Sequence, residues 1–177
     1  MIPLETPRLR LRPWAETDAE DLFRYASDPL VGPAAGWPVH TDVEFSRRTI
    51  REVLSEEGIL AVTLRSTGEV VGSIGLHRTT APGYDGEREI GYWLGRPHWG
   101  QGLIPEAVAA LMDYAFTAEG RHRLWCAHYE GNGRSRRVIE KCGFTYAFSQ
   151  NTEVLGEKRR EHYYSITREA WHKWKAI

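Results

Sequence analysis

The chain has 177 residues, 41% hydrophobic and 27% charged, with a formal net charge of −1. That is one domain's length with enough apolar surface for a full core, and its balanced charge gives no global pull toward nucleic acid or anionic membrane. With two cysteines, no apolar leader in 1–14 and no apolar run of 18 residues, the reading is one cytoplasmic domain over 1–177 with reduced thiols and no membrane span.

Residues 8–12 alternate Arg8, Arg10 and Arg12 with Leu9 and Leu11, the pattern of a half-buried strand, and Pro13 ends it. Thr17-Asp18-Ala19-Glu20 reads as a capping box opening a helix with Ala19, Leu22, Phe23 and Ala26 on its inner face. Residues 28–40 carry three prolines and two glycines and read as a long loop. Thr41-Asp42-Val43-Glu44 is a second box, opening a helix with Ile50, Val53 and Leu54 inward that stops at Gly58. Strands at 59–64 and 70–76 flank the turn Ser66-Thr67-Gly68-Glu69, so a hairpin is expected. A loop over 77–86 leads to a strand at 89–94, a glycine-rich turn, and a helix with Ile104, Ala107, Val108, Leu111 and Ala115 on one face. A strand at 124–128, a turn at 130–133 and a short basic helix at 135–142, closed by Gly143, come next. Residues 144–148 and 163–167 read as two last strands around a polar loop, with a final helical turn through Trp171. The order βααβββαβαββ predicts an α/β or α+β domain with a mixed sheet.

Chemistry concentrates at 88–110. A strand, a turn with Gly95, Gly100 and Gly102, and a helix start are how proteins hold phosphates. Three patterns can be tested there. A Walker A loop needs Lys and Ser/Thr where Gln101 and Gly102 stand, which removes nucleotide hydrolysis. A dinucleotide fingerprint needs a third glycine where Pro105 stands. The third pattern fits.

The run from Trp99-Gly100-Gln101-Gly102-Leu103-Ile104 into Pro105-Glu106-Ala107 resembles the acetyl-CoA motif of the GNAT acetyltransferases. Glu89-Ile90-Gly91-Tyr92-Trp93-Leu94 before it, Asn132-Gly133-Arg134-Ser135 through Lys141-Cys142-Gly143-Phe144 after it, and the opening Leu4-Glu5-Thr6-Pro7-Arg8-Leu9 resemble that superfamily's RimJ/RimL branch. Trp99 stands where the superfamily pattern has Arg or Gln, and Ile104 where it has a small residue. The resemblance implies a mostly antiparallel sheet flanked by helices, with a splayed strand pair holding the cofactor and a bulge near Gly91. It implies a coenzyme site of Tyr92, Trp93, Leu94, His98, Trp99, Gly100, Gln101, Gly102, Leu103, Ile104, Asn132, Ser135 and Arg137, with backbone N–H groups cradling the pyrophosphate. Arg134, Arg136 and Arg137 add positive charge nearby.

The implied reaction moves an acetyl group directly from acetyl-CoA to a primary amine: a ribosomal or other protein N-terminus, or a small molecule. An N–H around Trp93 or Leu94 would bind the developing oxyanion, and Ser135 would hydrogen-bond the departing sulfur. Glu89 or Glu153 would accept the amine proton, directly or through water; Tyr92, Tyr129 and Tyr146 are alternative donors, and His98 and His128 alternative acid–base groups. The acceptor cleft is expected from 28–40 with Asp28 and Trp37, from 77–86 with Tyr84, and from 149–160 with Glu153. No metal-ligand spacing occurs, and neither Cys126 nor Cys142 has an evident histidine partner for a nucleophile role. A non-catalytic acyl-CoA sensor is the competing reading; nucleic-acid binding is disfavoured by charge, and a homodimer is left open.

Overall fold

The computed structural model describes residues 3–177. Strands β1 (Leu4–Glu5), β2 (Leu9–Arg12), β3 (Ile59–Leu64), β4 (Val70–Arg78), β5 (Arg88–Leu94), β6 (Arg123–Tyr129), β7 (Thr145–Val154) and β8 (Glu157–Thr167) form one sheet in the order β1-β2-β3-β4-β5-β6-β8-β7. Every neighbouring pair is antiparallel except β5 and β6. The α-helices are α1 (Ala19–Ala26), α2 (Gly32–Ala35), α3 (Val43–Thr49), which continues as a π-helical stretch over Ile50–Leu54, α4 (Leu103–Thr117), α5 (Gly133–Lys141) and α6 (Arg168–Lys175).

The middle of the sheet, β3 and β4, is buried on both faces because these strands are apolar at consecutive positions. In β3, Leu60 and Val62 pack with Leu111, Met112 and Ala115 of α4, whereas Ile59 and Ala61 face Leu22 and Ala26 of α1. Thus α4, α5 and α6 cover one face, and α1 and α3 cover the other. Cys126 and Cys142 lie free in the core, where burial pushes the Cys126 thiol well up and the Cys142 thiol to about 12. Neither is a nucleophile at neutral pH.

Several local expectations are corrected. The helix expected to open on Thr17 begins at Ala19, and Asp18 turns its carboxylate back to the Ala15 N–H (2.9 Å) and Arg12 (2.8 Å). Asp42, not Thr41, caps α3, accepting the Phe45 N–H at 2.7 Å. The loop at 28–40 contains α2, and the polar loop at 149–160 is instead the body of a long hairpin, β7–β8. No bulge marks Gly91: β4 and β5 pair in unbroken register from Gly72↔Leu94 to Arg78↔Arg88. Gly91 instead makes room for His77, whose ring would lie 3.1 Å from a Cβ there.

The splay lies between β5 and β6. They pair only at Arg88↔Leu124 and Glu89↔Trp125 and then part, leaving the rest of β5 without a partner on that side. That open edge fixes the site.

Candidate functional site

Alternation along β5 sorts its groups. The Cys126 thiol donates to the Ile90 carbonyl (3.2 Å), and Trp99 Nε1 donates to the Leu94 carbonyl (2.8 Å), so both carbonyls face the opening. The Gly95 N–H goes the other way, to Val71 O on β4 (2.8 Å). With a period of two, the N–H groups of Tyr92 and Leu94 face the opening and that of Trp93 faces β4. Of the two N–H donors expected from sequence, only Leu94 is so placed.

Beyond β5 and a short 3-10 turn at Arg96–His98, Trp99 has φ −63° and ψ 150° and Gly100 has φ +76°, backbone angles found at the corner of a type II turn. Gly102 follows at φ +75° as the N-cap of α4. Both glycines adopt the left-handed conformation that side chains disfavour, and a Cβ on Gly100 would meet nothing within 4 Å. The first N–H groups of α4 have no carbonyl one turn behind them, so they are free to serve an anion.

These elements surround a cavity of about 580 Å³. It takes in Tyr92, Trp93, Leu94, His98, Trp99, Gly100, Gly102, Leu103, Ile104, Asn132, Ser135 and Arg137, as well as Glu89. Gln101 stands outside: its carbonyl accepts from Arg8 Nη1 (2.8 Å) and its side-chain amide donates to Pro97 O (3.1 Å). Asn132 caps α5 by accepting the Ser135 N–H (3.2 Å), and its Nδ2 donates to Ala34 O of α2 (3.4 Å). The Tyr92 hydroxyl sits 2.9 Å from Ser135 Oγ, and burial raises its pKa well above the ordinary phenol value. The Arg134 guanidinium lies 3.7 Å from the centre of the Trp99 ring. Position 99 thus carries a cation after all, delivered from α5 by cation–π stacking.

Charge in the cavity is divided. Its cations, Arg134, Arg137 and Lys141, all come from α5, and Arg134 lies over Trp99 at the glycine turn. Its carboxylates are Glu89, at the start of β5, and Glu161 on β8. Five residues at about 3.3 Å each put Glu89 roughly 16 Å along the strand from Leu94, where the turn begins. Burial raises the Glu89 pKa, and the neighbouring charge of Glu161 adds to it, against the Thr79 hydroxyl that donates to its carboxylate at 2.9 Å. Glu161 accepts the Tyr163 hydroxyl (2.7 Å). His128 also lines the cavity; its Nε2 is buried without a partner, and burial lowers its pKa.

The expected acceptor residues fall elsewhere. Asp28 pairs with Arg96 (2.6 Å) and accepts the Leu30 N–H (3.0 Å). Tyr84 packs on Trp125 with ring centroids 4.5 Å apart, beneath Arg123. Glu153 is exposed on β7 opposite Lys158, near the hairpin tip. Trp37 stands behind the wall, its ring 5.4 Å from that of Trp93. None of the four lines the cavity. Its roof there is Leu30, Val31, Ala34 and Ala35, held by Arg159 Nη1 donating to Pro33 O (2.6 Å). A strand starting at 163 leaves Glu161 in a loop, but β8 begins at Glu157, and carrying its alternation back from Tyr163 puts Glu161 on the same face.

Among the described residues there is no group of three metal-ligating side chains, and no helix is long and apolar enough to cross a membrane.

The "Acetyltransferase (GNAT) domain" family model matches residues 8–145. A Bacillus licheniformis protein named "Uncharacterized N-acetyltransferase p20" is 36% identical over 149 residues, covering 81% of this chain and 83% of that one. The ribosomal-protein-serine acetyltransferase of Escherichia coli is 39% identical over 54 residues, 30% of this chain and 22% of that one. Among solved structures, a GNAT-family acetyltransferase from Bacillus anthracis superposes with a TM-score of 0.83 at 25% identity, covering 94% of this chain and 99% of that one. GNAT enzymes use acetyl-CoA, and the helix start, the two left-handed glycines and the α5 cations fit a coenzyme pyrophosphate. This chain is an N-acetyltransferase and belongs to the GNAT family.

Proposed function

We propose that the protein transfers the acetyl group of acetyl-CoA directly to a primary amine within the cleft between β5 and β6. The observation that carries this reading is that one cavity holds both charges: the α5 cations Arg134, Arg137 and Lys141, with Arg134 over Trp99 beside the glycine-bounded helix start, and the carboxylates Glu89 on β5 and Glu161 on β8. A polyanionic coenzyme and a cationic amine need opposite fields, and the cavity offers both.

The N–H groups at the start of α4, with Arg134, Arg137 and Lys141, hold the phosphates. The open edge of β5 offers Tyr92 and Leu94 as partners for an extended, amide-bearing arm, as an added strand would use them. Asn132 lines the path opposite. The coenzyme supplies an activated acetyl thioester. Glu89, with its raised pKa, is the base that takes the amine proton, and Glu161 beside it attracts the ammonium form. Ser135 Oγ, bonded to the Tyr92 hydroxyl, stands by for the leaving sulfur, with Tyr92 as the group behind it. The apolar roof of α2 excludes water over the reacting atoms. The likeness to a ribosomal-protein-serine acetyltransferase supports a protein N-terminal amine as one acceptor class, alongside small amines.

The test is incubation with acetyl-CoA and a panel of N-terminal peptides and small amines, following release of free thiol. Turnover on at least one amine, dependent on the amine, is expected. Tight coenzyme binding with no turnover on any amine would make the protein an acyl-CoA sensor instead.

A further inference from the structure

The N-terminal run Thr6-Pro7-Arg8 resembles the family's opening but has no part in the chemistry above. Its placement gives it one. The turn between β1 and β2 lies against the start of α4, where Glu106 occupies the first turn. Thr6 Oγ1 (2.6 Å) and the Arg8 N–H (2.9 Å) donate to Glu106 Oε1, and Arg8 Nε donates to Oε2 (2.7 Å). The same guanidinium reaches on, through Nη1, to the carbonyl of Gln101 (2.8 Å). Arg8 is therefore a fork with one prong on the helix and one on the glycine turn.

We propose that Arg8 is a positioning residue for the coenzyme: it locks the orientation of the Gln101–Gly102 peptide so that the Gly102 N–H points into the phosphate cradle. A trans peptide is planar, with its C=O and N–H directed oppositely. Holding the Gln101 carbonyl outward on Arg8 aims the Gly102 N–H the other way, and Gly102 lines the cavity while Gln101 does not. A lock is needed at this place. Gly100 and Gly102, at φ +76° and +75°, flank Gln101, and glycine crosses backbone space freely, so an unrestrained peptide could flip and present a carbonyl oxygen to a phosphate.

Arg8 also answers a charge problem. A carboxylate in the first turn suits the helix dipole but opposes a bound anion. Partial burial works against ionisation of Glu106, yet the bonds from Thr6 and Arg8 hold its pKa below the ordinary carboxylate range, so the negative charge stays and Arg8 offsets it.

This inference rests on the acetyl-CoA reading and is tested by titrating coenzyme A calorimetrically into the full chain, with melting temperature as the folding control. Arg8→Gln is expected to weaken coenzyme A roughly tenfold, the scale of one charge-assisted hydrogen bond, without matching loss of fold. Glu106→Gln, which keeps Arg8 on Gln101, is expected to stay within about threefold of the parent on the same scale. If Arg8→Gln does not fold, Arg8→Lys, which cannot span both acceptors, takes its place with the same expectation. Parental affinity in the Arg8 variant, or an equal loss in Glu106→Gln, would overturn the peptide lock. A parent protein that binds no coenzyme A would instead overturn the coenzyme reading, and the lock with it.

Discussion

Glu89→Gln is expected to lower kcat by roughly 10²–10⁴-fold, the usual contribution of a positioned general base, while leaving coenzyme A affinity unchanged. The amide keeps the size and accepts the Thr79 hydroxyl, but it takes no proton. The pH profile sharpens the test. Burial raises the Glu89 pKa, so kcat/KM in the parent should climb as pH rises through that raised value, and this limb should vanish in the variant. Stability should move the opposite way. A carboxyl whose folded pKa lies above its unfolded value binds more protons when folded, so its contribution is complete below the unfolded pKa and is lost as pH rises through the folded one. Above that raised value the parent therefore carries a buried charge that Gln lacks, and there the melting temperature of Glu89→Gln should equal or exceed the parent's. Retention of the acidic limb in the variant would move the base to Glu161.

Gly72→Ala should be strongly destabilising. Gly72 stands opposite Leu94, and a Cβ there would lie 2.4 Å from the Trp93 carbonyl oxygen and 3.2 Å from Leu94 Cα. Both are backbone atoms of β5, so relief requires β4 and β5 to separate. Overpacking of this kind costs about 3 kcal/mol, which lowers the melting temperature by roughly 6–12 °C for a domain of this size. Gly68→Ala is the control. It sits at φ +78° with nothing within 4 Å, so only conformational strain, about 1 kcal/mol, is expected. Similar melting temperatures for the two variants would mean that the strands yield more easily than their register suggests.

The sequence made much of the glycine-turn side of the cavity readable because its signals are local. Asn132 and Ser135 sit three apart as an N-cap and its partner, and the glycines at 100 and 102 needed only a strand before and a helix after. The side of the cavity lined from β8 was less readable because it depends on pairing between distant segments. Gln150, Asn151, Thr152 and Glu153 have no apolar alternation, yet they form the outer strand of a hairpin whose register also shifts between Tyr146 and Phe148. Reading them as loop put Glu153 in the cleft and left Glu161 out. Asp28 and Tyr84 were placed by loop position, but Arg96 and Trp125 claim them, and neither partner is near in sequence. The role of Arg8 was equally hidden, since its partners lie 93 and 98 residues away.

The parting of β5 from β6 also has a consequence for how the domain opens and closes to solvent. Two residue pairs join the five strands β1–β5 to the three strands β6, β8 and β7. The ladder is interrupted there, so backbone amides on the open edge of β5 should exchange their hydrogens with water far faster than those facing β4. A ligand that lies along that edge supplies the missing rungs. Coenzyme A should therefore slow exchange selectively at Tyr92 and Leu94, leave Trp93 unchanged, and make the two parts of the sheet unfold more nearly as one.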